Sequence, residues 1–136
     1  MDRKVTSRDP QITSIRDSEP VIEHNGTVPI WDLLPPDTLR QQTEGGFLEL
    51  ICEMHIDPGG EMGRHSHPTH EYYYVIEGEG AIDIGADTHR VGPGDLIYTP
   101  PDVPHAMRPD PPESGMRVFV FAIGLPEARH YERARN

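Results

Sequence analysis

The sequence is poor in several residue types that carry common chemistries. It has a single cysteine, Cys52, so neither an intrachain disulfide framework nor a multi-cysteine zinc knuckle can form. It has one lysine, Lys4, which removes Schiff-base chemistry from everything beyond the first residues. Its longest apolar run, Val118 to Ile123, is far short of a membrane-spanning helix. The opening MDRKVTSRDP has no apolar stretch of the secretory kind, so a reduced, cytoplasmic setting is expected. Basic residues are scarce: 12 Lys+Arg stand against 23 Asp+Glu, a formal net charge of −11. That balance disfavours nucleic acid and anionic membrane as partners, and no membrane association is expected.

Glycine (13) and proline (15) are abundant, together about one residue in five of 136. This is heavy for a helical bundle and points to short strands joined by turns. The acidity lies between the ends, at −12 over residues 21–126, while residues 1–20 and 127–136 have mixed charge. An N-terminal arm (1–20), one folded domain (21–126) and a C-terminal tail (127–136) are therefore expected. Within the domain, Val21–Glu23 and Val28–Trp31 flank an Asn25-Gly26 hairpin signal. A helical turn fits Leu33–Arg40. Strands are expected at Phe47–Ile56, Met62–His67, Glu71–Glu77, Ala81–Ile84, Asp95–Thr99, His105–Arg108 and Met116–Ile123. No helical pattern of ten or more residues separates them, so the fold class is all-β, an antiparallel sandwich or barrel. Residues 126–135 fit a brief helix or a frayed tail.

Of eight histidines, His55, His65, His67 and His70 fall within sixteen positions. His65 and His67 are two apart, and on a strand such residues share a face. Glu71 opens the next strand, and His105 opens another after a Pro-rich turn. Three imidazoles and one carboxylate suit a divalent transition metal, and in an octahedral site they leave two positions open.

In these residues the sequence resembles the cupin family. The first cupin motif runs Gly, five residues, His-x-His, three or four residues, Glu, six residues, Gly; Gly59, His65, His67, Glu71 and Gly78 match at every defining position. The second runs Gly, five residues, Pro-x-Gly, two residues, His, three residues, Asn; Gly94, Pro100 and His105 match, while Asp102 replaces Gly and Pro109 replaces Asn. Asp is among the few residues that tolerate positive φ in a turn. The resemblance implies a double-stranded β-helix, a jelly-roll barrel with one metal in its lumen held by His65, His67, Glu71 and His105. Cupins with this ligand set use manganese, iron, nickel, cobalt, copper or zinc. Many small single-domain cupins dimerise, so a homodimer is expected.

Other residues are candidates for acid–base work. Tyr73 shares the face of Glu71 on a regular strand; it is either a proton donor near the metal or a barrel-filling aromatic. Glu53 and His55 are catalytic candidates if their face of the 47–56 strand is the lumen, and solvent groups if Leu48, Leu50, Cys52, Met54 and Ile56 face inward. His70 is expected in a turn facing solvent, and Cys52 as a buried thiol. Arg64 and Arg117 are the basic residues nearest the proposed site, expected in surface ion pairs. His24, His89 and His130 read as turn or tail residues. Gly92-Pro93-Gly94 has no helix after it and is no phosphate loop.

The expected function is that of a metal-dependent enzyme acting on a small organic molecule, first a dioxygenase-type oxidoreductase. The alternatives are a metal-dependent lyase, isomerase or decarboxylase using Tyr73, Glu53 or His55, and a cupin that binds metal and small ligand without turnover.

Overall fold

A computed structural model describes residues 12–43, 45 and 47–125. Most of the expected arm and all of the expected tail, His130 included, lie outside the described residues.

Ten strands follow in chain order: β1 (Val21–Glu23), β2 (Val28–Leu34), β3 (Leu48–Ile56), β4 (Met62–His65), β5 (His70–Glu77), β6 (Gly80–Ile84), β7 (Asp87–Val91), β8 (Leu96–Thr99), β9 (His105–Pro109) and β10 (Met116–Ile123). Among the described residues one α-helix, α1 (Pro36–Gln42), follows β2, with proline at its first position, where no amide hydrogen is needed. The strands form two antiparallel sheets, ordered β1-β2-β3-β10-β5-β8 and β4-β9-β6-β7. Consecutive strands repeatedly switch sheet, as a jelly roll requires. The all-β class and the double-stranded β-helix hold.

The apolar core lies between the sheets. Leu50, Cys52, Met54 and Ile56 from β3 meet Val118, Val120 and Ala122 from β10, Tyr73 and Val75 from β5, and Ile82 and Met107 from the facing sheet. This decides the inward face of β3. The even-numbered residues line the lumen, and Glu53 and His55 point to the other side of the sheet.

Two close approaches fix the ends of the barrel. At Gly78, φ is 84°, and a Cβ there would lie 2.2 Å from the Gly115 carbonyl oxygen, so only glycine fits after β5. At Gly60, a Cβ would lie 2.4 Å from Cβ of Thr27. The β3–β4 loop therefore presses directly on the β1–β2 turn, and the Asp57 amide donates to the Thr27 carbonyl at 2.9 Å. Asp102, where the second motif expects glycine, has φ 63°.

Three elements depart from expectation: β2 runs on to Leu34, into the expected helical turn, which starts only at Pro36. The β4 strand stops at His65, so His67 lies in the link to β5. Strand β7 was not anticipated, because four of its five residues are exposed and it carries no apolar alternation. No helix among the described residues is long and apolar enough to cross a membrane.

Candidate metal centre

The two sheets bring His65, His67, Glu71 and His105 together at one end of the lumen. Each offers one ligand atom, and these atoms all lie within 4.8 Å of one another. His65 and His105 are directly opposed on the β4–β9 ladder, with ring centroids 4.5 Å apart. Glu71 comes from β5 in the other sheet, and His67 from the link between β4 and β5. Leaving the strand does not carry His67 away from the site: its ring lies 4.7 Å from that of His65. The Asp102 amide donates to the His67 carbonyl at 2.8 Å, so the turn before β9 anchors the residue that β4 does not. His67, Glu71 and His105 are almost wholly buried.

The hydrogen bonds orient the rings. His65 donates from Nδ1 to the Gly63 carbonyl at 2.6 Å, and His105 donates from Nδ1 to the Val103 carbonyl at 3.0 Å. With Nδ1 committed to a carbonyl, each ring leaves Nε2 for the lumen, the arrangement that metal-ligating histidines share. Burial lowers the His65 pKa to about 4; the bond to Gly63 opposes this, and the neighbouring histidines His105, His67 and His24 reinforce it. At neutral pH His65 is an uncharged donor.

A cation fits this set. Glu71 Oε1 is buried without a hydrogen-bond partner, and it lies 3.4 Å from Nε2 of both His67 and His105. Metal–nitrogen bonds of about 2.1 Å place opposed ligands about 4.2 Å apart, so only small side-chain shifts separate the cluster from a coordination shell. Nitrogen and carboxylate donors without a thiolate suit first-row divalent metals.

Around the cluster the lumen is lined by Leu50, Met54, Met62 and Val120, with a cavity of about 20 Å³. That is room for little more than a water molecule. Tyr73 faces it and is buried, with its hydroxyl 3.1 Å from His105 Nε2, so the side chain has both its packing role and a polar contact at the site.

Glu53 and His55, expected as possible acid–base groups, are outside. His55 Nε2 donates to Glu53 Oε2 at 2.8 Å, Arg117 Nη2 donates to Glu53 Oε1 at 3.0 Å, and Trp31 lies against the His55 ring at 4.6 Å. Burial pushes the Glu53 carboxyl up, but bonds from Arg117 and His55 outweigh it and hold the group below the usual carboxylate range. The physical reason for the correction is the strand period: with Cys52 and Met54 in the core, residues 53 and 55 must face away. Arg117 is spent on this outer cluster. Arg64 donates to the Gly85 carbonyl, and His70 bonds to the Tyr98 hydroxyl at 2.7 Å.

The sequence reading missed two lumen residues. Glu23 and His24 sit in and beside the β1–β2 turn, yet both are buried and line the lumen cavity. His24 Nδ1 accepts the Gly63 amide hydrogen at 3.0 Å, and its ring lies 4.9 Å from that of His65. Burial, and then His67 and His105, keep its pKa below the ordinary value. The only sequence signal was a histidine beside Asn-Gly, which marks a turn and not its contents.

Comparison with known proteins agrees with this architecture. The family model described as Cupin domain matches residues 52–121. The uncharacterized protein MJ1618 of Methanocaldococcus jannaschii is 32% identical over 88 residues, covering 64% of this chain and 66% of that one, just under two thirds of its length. The polyketide synthase CurC of Streptomyces cyaneus is 27% identical over 119 residues, 87% of this chain and 73% of that one. Among solved structures, a predicted oxalate decarboxylase from Thermotoga maritima superposes with a TM-score of 0.72 at 20% identity, covering 85% of this chain and all of that one. With the family model spanning half of the sequence and both sheets in place, the chain belongs to the cupin domain family.

Proposed function

We propose that the chain is a metal-dependent enzyme acting on a small organic molecule at a divalent transition ion held by His65, His67, Glu71 and His105. The observation that carries this reading is Glu71 Oε1, a buried carboxylate oxygen without a partner, facing three imidazoles. Leaving such a group unanswered is costly, and a bound cation answers it. Bound there, the ion supplies Lewis-acid polarisation and, where redox-active, electron exchange with O2. The apolar walls from β3 and β10 leave only a small space beside the site. A dioxygenase-type reaction on an enol or enediol substrate is the first reading. The position of Tyr73 favours one alternative. Once His105 Nε2 is taken by a cation, the Tyr73 hydroxyl has a proton to offer a bound substrate, as a lyase, isomerase or decarboxylase needs.

The test is to purify the protein without added metal, identify the ion, and assay enol- and enediol-forming acids with and without O2. Turnover that stops in the absence of O2 supports the dioxygenase. Turnover that continues supports proton transfer, and Tyr73→Phe should then abolish it. Metal and substrate binding with no turnover in either atmosphere overturns the enzyme reading in favour of a binding protein.

A further inference from the structure

We infer that His24 is a fixed hydrogen-bond donor to the ligand of the metal centre, and that this ligand presents an acceptor oxygen beside the atom bound to the metal. The inference rests on the proposed metal site and adds a residue to it from outside the ligand set.

Three observations meet at His24. The first is its backbone. His24 has φ 52°, Asn25 φ 58° and Gly26 φ 79°, three successive left-handed residues. For histidine that conformation costs about 1 kcal/mol or more, and such costs concentrate where a side chain must be aimed. The turn is held by Thr27, whose amide and hydroxyl both donate to the His24 carbonyl.

The second is the tautomer. Because Nδ1 accepts the Gly63 amide hydrogen, the ring proton is on Nε2. Nε2–H has no acceptor among the described residues. Gly63 thus orients two rings at once: its amide hydrogen holds His24 as a donor, and its carbonyl holds His65 as a lone-pair ligand.

The third is position. His24 lines the lumen cavity of about 20 Å³ and also an outer cleft of about 360 Å³, whose walls include Thr27, Gly60, Arg108 and Pro112. The cleft is of a size that takes small organic ligands, and the lumen is not. His24 borders both. A ligand resting in the cleft and extending a short polar end toward the metal ligands would meet His24.

The experiment uses cobalt(II)-loaded full-length protein titrated with formate, followed by the visible bands of cobalt. Wild type, His24→Ala and His24→Gln are compared, with cobalt content and melting temperature measured for each. Glutamine can place an amide donor near the position of Nε2, and alanine cannot. The expected result is equal cobalt content in all three, formate affinity about tenfold weaker in His24→Ala, and recovery in His24→Gln, a loss typical of one hydrogen bond to an anion. The inference is overturned by unchanged affinity in His24→Ala, by a His24→Gln variant as weak as alanine, by loss of cobalt from His24→Ala, or by wild-type cobalt protein that gives no response to formate. Failure of wild type to take up cobalt overturns the metal site itself and is separable from all of these.

Discussion

Two clusters of histidine and glutamate lie on opposite faces of one sheet, and they differ in what answers the carboxylate. On the outer face Glu53 receives Arg117 at 3.0 Å and His55 at 2.8 Å, both from within the chain. On the inner face Glu71 Oε1 has three imidazoles around it and no donor. Among the described residues, no arginine or lysine lines the lumen cavity. The same residue types are therefore a completed ion pair on one side and an incomplete cation shell on the other. A histidine–glutamate cluster points to metal chemistry only when the fold withholds its own cations.

The comparison breaks first at His67. His67→Ala should lose nearly all bound metal, while circular dichroism and cooperative melting show the fold intact, because the core around Leu50, Val75, Met107 and Val118 does not depend on it. Full metal retention in that variant would sink the assignment. Next, stripping metal with a chelator should lower wild-type stability by about 3 kcal/mol when free metal had been held near 100 times its dissociation constant. Glu53→Gln should respond like wild type, and His67→Ala should not respond. Breaking the outer cluster has a smaller effect. Arg117→Met should cost about 1–2 kcal/mol in urea unfolding, since the arginine is partly exposed and the pair partly screened, with metal content unchanged.

Acid sharpens the contrast further. The Glu53 pKa is lowered in the folded state, so its contribution is fully present above the unfolded value of 4.5 and is lost as pH falls through the folded value. Stability of the metal-free protein should therefore decline below about pH 4.5 less steeply in Glu53→Gln than in wild type. The smallest effect is expected from Tyr73→Phe, about 1 kcal/mol in stability with metal retained, because it removes the hydroxyl contact to His105 and leaves the ring in the core.

Much of the site was legible because ligand spacing survives small errors in strand boundaries. His67 was placed on β4 and lies beyond it, yet the Asp102 turn returns it to the same point. The inward face of β3 was not legible. Both faces are largely buried: Leu50 and Cys52 by the core, and Glu49 and Glu53 under groups that include Arg40 and Arg117. Alternation cannot orient a strand that is covered on both sides. Strand β7 escaped because its pairing with β6 is made by backbone bonds under an exposed, polar surface. His24 escaped for a different reason. Its burial depends on β4 in the other sheet, 39 positions along the chain, and no local pattern reports such a contact.

Gly63 has a consequence for how this barrel can change. One peptide unit on each side of its Cα steers the ring of His24 or of His65. A displacement of β4 that retunes coordination also re-aims the group at the cavity mouth. Metal preference and ligand preference are thus geared together here, and redesigning one through this strand moves the other with it.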